Sequence, residues 1–462
     1  MQICADSKSR GTWASQLGFI LAAAGSAVGL GNIWRFPYVA GVNGGAIFVL
    51  IYVMSVIFIA FPVMVAEILI GRTTKRNPVG AFKTLSPRKQ WFLVGGLGVL
   101  TGLGILSYYS VVAGWTVGYL LMTIAGKFQA ITNPTDTGKI FSSYVSSPLW
   151  SIAGLGVFLL MTLLVVIGGV EKGIERVSKI FMPILFILLL ILVIRAITLP
   201  GSFPGISFYL KPDFSEVTPR TFLSAFGQSF FSLSLGMGAM ITYGSYLEKR
   251  GNIFSCAGWV CFTDTMVALL AGLAIFPAIF STGLKPDEGP GLVFITIPNI
   301  FSKIPLGQFF GTLFFILLIL AALTSTISLL EVVTAFTIDE LKWSRKKGAI
   351  IATSLCFILG VPSALSTGAV KTLGAIYKMG GKEQGFLDLM DLIFGNISLL
   401  IGGFFISLFA GWVWNRAEIF KELIESKTGQ NYFLKVWYLL LKYVCPIVIF
   451  IIFANVLIST IL

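Results

Sequence analysis

The chain has 462 residues, of which 56% are hydrophobic and only 11% are charged, whereas a soluble domain carries about a quarter of its residues as Asp, Glu, Lys or Arg. This composition excludes a soluble protein and predicts one that lies in a lipid bilayer. The chain has no histidine, which excludes His-based acid–base catalysis, His metal ligands and a Ser-His-Asp triad. We therefore expect no enzyme.

Apolar stretches recur along the whole chain, each long enough to cross a bilayer, for which about 20 residues are needed. They lie at 13–38, 44–71, 91–126, 150–170, 174–199, 220–247, 253–282, 306–337, 347–366, 386–414 and 435–461. We expect an all-α membrane protein with about eleven transmembrane helices, which form one transporter domain over 1–462.

Basic residues cluster in alternate loops. On one side, three loops are rich in them: Arg72, Lys75, Arg76, Lys83, Arg88 and Lys89; Lys249 and Arg250; Lys342, Arg345, Lys346 and Lys347. The intervening loops at 127–149 and 283–305 are nearly neutral. Because basic loops stay in the cytoplasm, we expect a multi-pass protein of the cell (inner) membrane with a cytoplasmic N-terminus and an extracellular C-terminus. The net charge of +13 is thus explained by orientation, and we expect no nucleic-acid partner.

Glycines interrupt the first and the sixth apolar stretch, at Gly25, Gly29 and Gly31 and at Gly236 and Gly238. Unwound backbone at membrane depth is tolerated inside protein or along a watery cavity, where its carbonyls can bind a cation. The alternative is that these glycines only let helices pack closely. Matching breaks in corresponding positions of two halves favour a transporter's central site.

The two breaks correspond if the chain contains two inverted five-helix repeats, 13–199 and 220–414, followed by one extra helix, 435–461. The carboxylates Glu67 and Glu331 lie deep within apolar stretches. An intramembrane carboxylate is a functional candidate by default.

Several motifs resemble those of the neurotransmitter:sodium symporter family. The first-helix segment GSAVGLGNIWRFP (Gly25 to Pro37) and the preceding Trp13 to Gly18 are similar to that family's signature. The resemblance continues through Asn43 to Gly45, Lys172 to Arg176, Gln228 to Tyr246, Thr324 to Ser325, Asp339 to Leu341 and Leu387 to Asp391. It implies a LeuT-like fold of the 5+5 type and sodium-coupled transport of a small amino acid.

The resemblance implies two sodium ions and one substrate between the two breaks. The first sodium site would use Ala27, Asn32, Ser232 and Asp264. The second would use Gly25, Val28, Ala321, Thr324 and Ser325. The substrate would contact Ala27, Gly29, Leu30, Gly31, Ile105, Tyr109, Phe231, Ser232, Ser234, Met237, Ser325 and Leu329. Carbonyls and hydroxyls suit sodium, which is a hard cation.

The resemblance also implies gates on both sides of the site. Arg35 and Asp391 would form the outer gate. Arg10, Trp13, Tyr246 and Asp339 would form the inner gate. Glu67 would be a structural carboxylate that hydrogen-bonds the unwound backbone of the sixth helix. Gly173 and Pro183 resemble a family motif in which the fifth helix unwinds towards the cytoplasm.

Two departures from the family pattern bear on chloride. Asp264 stands where many members have an amide, and Ala268 stands where chloride-dependent members have serine. We expect a carboxylate to replace the anion, so that chloride is not required.

Met237 stands where some members have a bulky aromatic residue, and its flexibility favours a hydrophobic or aromatic L-amino acid. The alternatives are a sodium-dependent transporter of another small amine or carboxylate, and a sensor that only binds its ligand.

Overall fold

The structure is a computed structural model that describes residues 11–86, 88–129, 131, 133–248, 251–283, 289–379, 382–425 and 431–461. Over these residues it is almost entirely helical. Uninterrupted α-helices form spans 3, 4, 7, 8 and 9, in that order: Phe92–Ile124, Pro148–Ile167, Ile253–Ser281, Gly307–Leu341 and Arg345–Ser366.

Five other spans, 1, 2, 5, 10 and 11, contain segments of π-helix. Span 1 consists of Gln16–Ala27, the π segment Gly31–Arg35 and Phe36–Val42. Span 2 consists of Ala46–Ser55, Val56–Ala60 (π) and Phe61–Thr74. Span 5 consists of Val170–Glu175 (π) and Arg176–Ile197. Span 10 consists of Phe386–Met390, Asp391–Ser398 (π), Leu399–Leu408 and Phe409–Val413 (π).

Span 6 is divided into the α-helices Pro219–Ser232 and Ala239–Ser245. Span 11 consists of Asn431–Leu439, Leu440–Val444 (π) and Cys445–Ile461. Shorter α-helices connect the spans: Pro78–Leu85, Pro134–Val145, Phe203–Leu210, Thr296–Lys303, Lys371–Gly374 and Arg416–Glu425. Three 3₁₀ turns lie at Lys89–Trp91, Phe214–Glu216 and Gly289–Leu292. An antiparallel hairpin pairs Tyr377–Met379 with Lys382–Gln384.

Within the described residues, nine helices are long and apolar enough to cross a membrane, and the bent halves of span 1 make a tenth. Span 6 completes the eleven that the sequence predicts. Its two halves are separated by residues 233–238, and its first half carries Arg220, Thr221 and Gln228. The prediction of an all-α membrane protein with about eleven transmembrane helices is therefore confirmed.

Burial separates central spans from peripheral ones. In span 8, 78% of the most apolar window is buried in protein, whereas the corresponding window of span 11 is only 28% buried. Spans 4 and 5 resemble span 11, with 33% and 39% buried. Spans 2, 3 and 8 thus face protein, together with the broken spans 1 and 6, while the apolar surfaces of the peripheral spans remain for lipid.

The two membrane faces are named here by the charge of their loops. The basic side includes the start of span 1 and the loops after spans 2 and 8, and the neutral side includes the nearly neutral loops after spans 3 and 7.

Candidate functional site

Spans 1 and 6 are broken at the same depth and their breaks contact each other. The two halves of span 1 are inclined by 51°. In span 6, Ser234 has a positive φ of 54° and its hydroxyl donates to the carbonyl oxygen of Ser26 in span 1, at 3.0 Å. The glycines are therefore more than packing residues, since they unwind both helices where a side chain of one break binds a backbone carbonyl of the other.

Gly236 makes this geometry possible. Its φ is 87°, and a Cβ atom at this position would collide with the carbonyl oxygen of Leu399 in span 10. Its N–H donates to Oε1 of Glu67 at 2.7 Å. Glu67 is fully buried in span 2, and its Oε2 has no hydrogen-bond partner in the described part of the chain. The carboxylate thus replaces a helical acceptor for the unwound segment.

A small central cavity of about 40 Å³ lies between the two breaks. Its walls include every residue predicted to contact substrate except Leu30: Ala27, Gly29, Gly31, Ile105, Tyr109, Phe231, Ser232, Ser234, Met237, Ser325 and Leu329. Leu399 also lines it and was missed, because nothing in the sequence of span 10 marks this leucine. Leu30 instead lines a second cavity above, although its N–H donates to the Tyr109 hydroxyl at 2.9 Å.

Three predicted members of the first sodium site form one buried polar cluster. The Asn32 amide nitrogen donates to Oδ1 of Asp264 at 2.7 Å, to the Asp264 carbonyl at 3.1 Å and to the Ser232 hydroxyl at 3.0 Å. The Ser232 hydroxyl donates to Oδ2 of Asp264 at 2.8 Å. Tyr52 was not predicted, and its hydroxyl also donates to this oxygen, at 3.2 Å. Ala27, the fourth predicted member, lies beside Ser232 in the cavity wall.

The residues of the predicted second sodium site are also together. The Ser325 hydroxyl lies 3.3 Å from the carbonyl oxygen of Val28, at the end of the first half of span 1. The Thr324 hydroxyl is 3.4 Å from the same oxygen and 3.0 Å from that of Ala321. A Cβ at Gly25 would come within 3.2 Å of the Thr324 side chain. Two carbonyls and two hydroxyls therefore converge, a donor set that suits sodium.

On the neutral side, a cavity of about 470 Å³ extends from the surface to Leu30, Tyr109 and Phe231. We call it the vestibule. Arg35 and Asp391 both line it, but the described residues show no direct ion pair between them. Asn396 joins them instead: its Oδ1 accepts from Arg35 Nη2 at 3.1 Å, and its Nδ2 donates to Asp391 Oδ2 at 3.1 Å. Asn396 was not predicted from the sequence.

The basic side is packed below the central cavity. The Trp13 indole donates to the Tyr243 carbonyl at 2.9 Å, and its backbone N–H donates to the Tyr246 carbonyl at 3.3 Å. Asp339 accepts from the backbone and side chain of Asn77, at 2.8 and 3.0 Å. Arg10, the remaining predicted member of the inner gate, lies outside the described residues.

A buried ion pair reinforces the basic side and was also missed. Glu331 is fully buried in span 8 and receives two hydrogen bonds of 2.7 Å from Arg345, at the start of span 9. The hydroxyl of Tyr246 donates to Glu331 at 2.6 Å. The sequence marked Glu331 as a functional candidate but counted Arg345 only as a loop charge. An intramembrane carboxylate that needs a cation was the available signal.

The chain matches one known family over almost its whole length. The model of the sodium:neurotransmitter symporter family matches residues 10–147 and 147–461. The chain is 42% identical over 446 residues to YhdH, an uncharacterized sodium-dependent transporter of Bacillus subtilis, covering 96% of this chain and 97% of that protein. It is 38% identical over 460 residues to an uncharacterized sodium-dependent transporter of Haemophilus influenzae, covering 97% and 99% of the two chains.

A solved structure extends the likeness to three dimensions. The crystal structure of MhsT in complex with L-phenylalanine superposes with a TM-score of 0.88 at 44% sequence identity, covering 97% of this chain and 100% of that one. The LeuT-type fold and the assignment to secondary transporters, not enzymes, are thereby confirmed. The chain is a sodium-dependent transporter and belongs to the sodium:neurotransmitter symporter family.

Proposed function

We propose that the chain is a symporter that imports a hydrophobic or aromatic L-amino acid with sodium by alternating access. The observation that carries the proposal is the central cavity, which has broken helices on two sides and polar groups for both ions and substrate in its wall. The substrate carboxylate would replace the Tyr109 hydroxyl as the partner of the Leu30 N–H. The amine would bind carbonyl oxygens around Ala27, Phe231 and Ser232.

The size of the cavity bears on the substrate. A volume of about 40 Å³ holds about three water molecules, because each water needs about 10–15 Å³ of cavity. A large side chain therefore fits only if the wall moves. Met237 supports a hydrophobic substrate because methionine has flexible torsions and fills irregular spaces, and the MhsT structure contains L-phenylalanine.

Two sodium ions would bind at the first and second sodium sites as co-substrates. Each charge that moves down a membrane potential of 100 mV provides about 2.3 kcal/mol, so two ions can concentrate the amino acid strongly. We assign the basic side to the cytoplasm from its loop charges. The repeats 13–199 and 220–414 would carry the matching broken helices, with 435–461 as the extra helix.

We further propose that transport does not require chloride. Asp264 places a carboxylate oxygen against the hydroxyls of Tyr52 and Ser232, where a bound anion would otherwise balance the sodium charge. Replacement of chloride by gluconate should leave uptake unchanged. Loss of uptake in gluconate would contradict this part of the proposal.

Equilibrium binding tests the proposal as a whole. Purified protein is incubated with labelled L-phenylalanine, L-tryptophan or L-leucine in sodium and then in potassium. Saturable binding that needs sodium is expected. Binding of equal strength in potassium would contradict sodium coupling. Sodium-dependent binding of a different amine or carboxylate, with none of these amino acids, would reject the proposed substrate class.

A further inference from the structure

Glu175 is a buried carboxylate that none of the proposed sites uses. It is only 1% exposed and ends the π segment at the basic-side start of span 5. One residue of span 5, Lys179, forms an ion pair with its Oε1 at 2.7 Å. The remaining bonds of this carboxylate reach across to span 1.

The Glu175 carboxylate binds the beginning of span 1. Its Oε2 accepts from the backbone N–H of Ala14 at 2.7 Å, and its Oε1 accepts from the hydroxyl of Ser15 at 3.1 Å. Ser15 is the N-cap of Gln16–Ala27, where its Oγ accepts from the Gly18 N–H at 3.0 Å. A negative charge at a helix N-terminus is stabilised by the unpaired N–H groups and the helix dipole.

Gly18 lies directly beside the Glu175 carboxylate. A Cβ atom at Gly18 would overlap the Glu175 carboxylate group. The first turn of span 1 can therefore approach span 5 only because position 18 lacks a side chain. Gly18 and Glu175 form a complementary pair, which makes the contact testable from both sides.

The segment that carries Glu175 is irregular. Gly169 has a φ of 85° and precedes the π turns of Val170–Glu175. Eight residues after Glu175, Pro183 lies inside the helix without a backbone N–H to donate. π-Helix is rare, and it occurs mostly as single turns inside α-helices, frequently at functional sites. A change in this segment would displace Glu175 directly.

Residues 13–15, which precede the first helix of span 1, are also bound to span 6. Trp13 donates its backbone and indole N–H groups to span 6, whereas the next two residues bind Glu175 in span 5. Residues 13–15 are thus held from two directions, and opening the basic side requires both sets of bonds to break.

We propose that Glu175 is the positioning residue that holds the basic-side end of span 1 closed, and that a rearrangement of Val170–Glu175 releases it. The inference rests on the proposed alternating access. It adds that spans 1 and 5 open together because one carboxylate joins them. Glu175 touches neither substrate nor sodium in this role.

The test measures opening of the basic side through a cysteine at Ser245, which is 5% exposed in span 6. The background is Cys4→Ser, because Cys256, Cys261, Cys356 and Cys445 are buried. In Ser245→Cys protein reconstituted in vesicles, we expect Glu175→Ala to raise the alkylation rate by a membrane-impermeant maleimide on the basic side about tenfold, the effect of losing one hydrogen bond to a charged group.

Four further variants distinguish loss of the contact between Glu175 and span 1 from general damage to the protein. Gly18→Ala should raise the rate as Glu175→Ala does, and the double variant should be no faster than either single one, since both remove the same contact. Glu175→Gln keeps the size of the side chain and should give an intermediate rate. Glu171→Ala removes an exposed acid from the same π segment and should leave the rate unchanged.

Sodium-dependent amino-acid binding is measured on every variant. The alkylation rate could stay unchanged in Glu175→Ala and Gly18→Ala although the unmodified protein binds substrate with sodium. That result would overturn the proposed role of Glu175 and leave the proposed function standing. Additive effects of the two substitutions, or an equal effect of Glu171→Ala, would overturn this role as well. Absence of sodium-dependent binding in the unmodified protein would reject the proposed function instead.

Discussion

The two sides of the molecule enclose the central cavity in different ways. On the neutral side, a vestibule of about 470 Å³ extends down to Phe231, and within the described residues Arg35 and Asp391 are joined through Asn396. On the basic side, Trp13 and the Glu331–Arg345 pair join spans 1, 6, 8 and 9 by buried hydrogen bonds. A direct ion pair thus closes the basic side, whereas an amide bridges the charged pair on the neutral side. We therefore expect opening of the basic side to have the larger energetic cost.

The largest effect is expected at the buried ion pair. Arg345→Met leaves the Glu331 carboxylate buried without its cation, which should destabilise the protein by about 3–5 kcal/mol. Thermal unfolding of the purified protein measures the loss. Lys346→Met removes an exposed neighbour and should change little, whereas Glu331→Leu combined with Arg345→Met should recover most of the stability. A stable Arg345→Met variant would contradict the larger cost of opening the basic side.

A similarly large effect is expected at the first sodium site. Asp264→Ala removes the acceptor of hydrogen bonds from Asn32, Ser232 and Tyr52. Buried donors left unpaired cost about 1–3 kcal/mol each, so sodium-dependent binding should weaken about 100-fold or more. Sodium titration of substrate binding measures it. Thr265→Ala, one residue further along span 7, should stay within about threefold, and an equal loss there would indicate damage to the helix.

A smaller effect is expected at the roof of the central cavity. The Tyr109 hydroxyl accepts from the Leu30 N–H in this structure and would donate to the substrate carboxylate in the proposed complex. Tyr109→Phe removes this hydroxyl, and substrate affinity should fall about tenfold for the loss of one hydrogen bond to a charged group. Tyr119→Phe is the matched control, because the buried Tyr119 hydroxyl has no partner in the described residues. Equal affinities of the two variants would place the substrate carboxylate elsewhere.

The smallest effect is expected at the neutral-side bridge. Asn396→Ala removes the amide between Arg35 and Asp391, and bound substrate should dissociate about fivefold faster, as expected for about 1 kcal/mol. Asn455→Ala on the exposed face of span 11 serves as the control. If Asn396→Ala destabilised the protein as much as Arg345→Met, the proposed asymmetry between the two sides would be wrong.

The sequence predicted the number of spans and the position of both breaks, because span length and glycine placement are local properties. It also predicted which residues line the central cavity, except that Leu30 lies above it and Leu399 was missed. The missed residues act through distant contacts: Arg345 becomes the partner of Glu331 only after spans 8 and 9 pack together.

Asn396 was missed for a different reason. It lies five residues after Asp391, a spacing that brings two side chains together in a π-helix but not in an α-helix. The segment Asp391–Ser398 is π-helical, and no composition signal in the sequence distinguishes it from α-helix. The same limitation applies to Val170–Glu175, whose π turns direct Glu175 towards span 1.

Uptake of labelled L-phenylalanine into proteoliposomes tests the central claim most directly. With an inward sodium gradient, the account predicts saturable accumulation above the external concentration, which disappears when potassium replaces sodium on both sides. Uptake that only equilibrates, that does not saturate, or that proceeds equally in potassium would contradict sodium-coupled symport through this site.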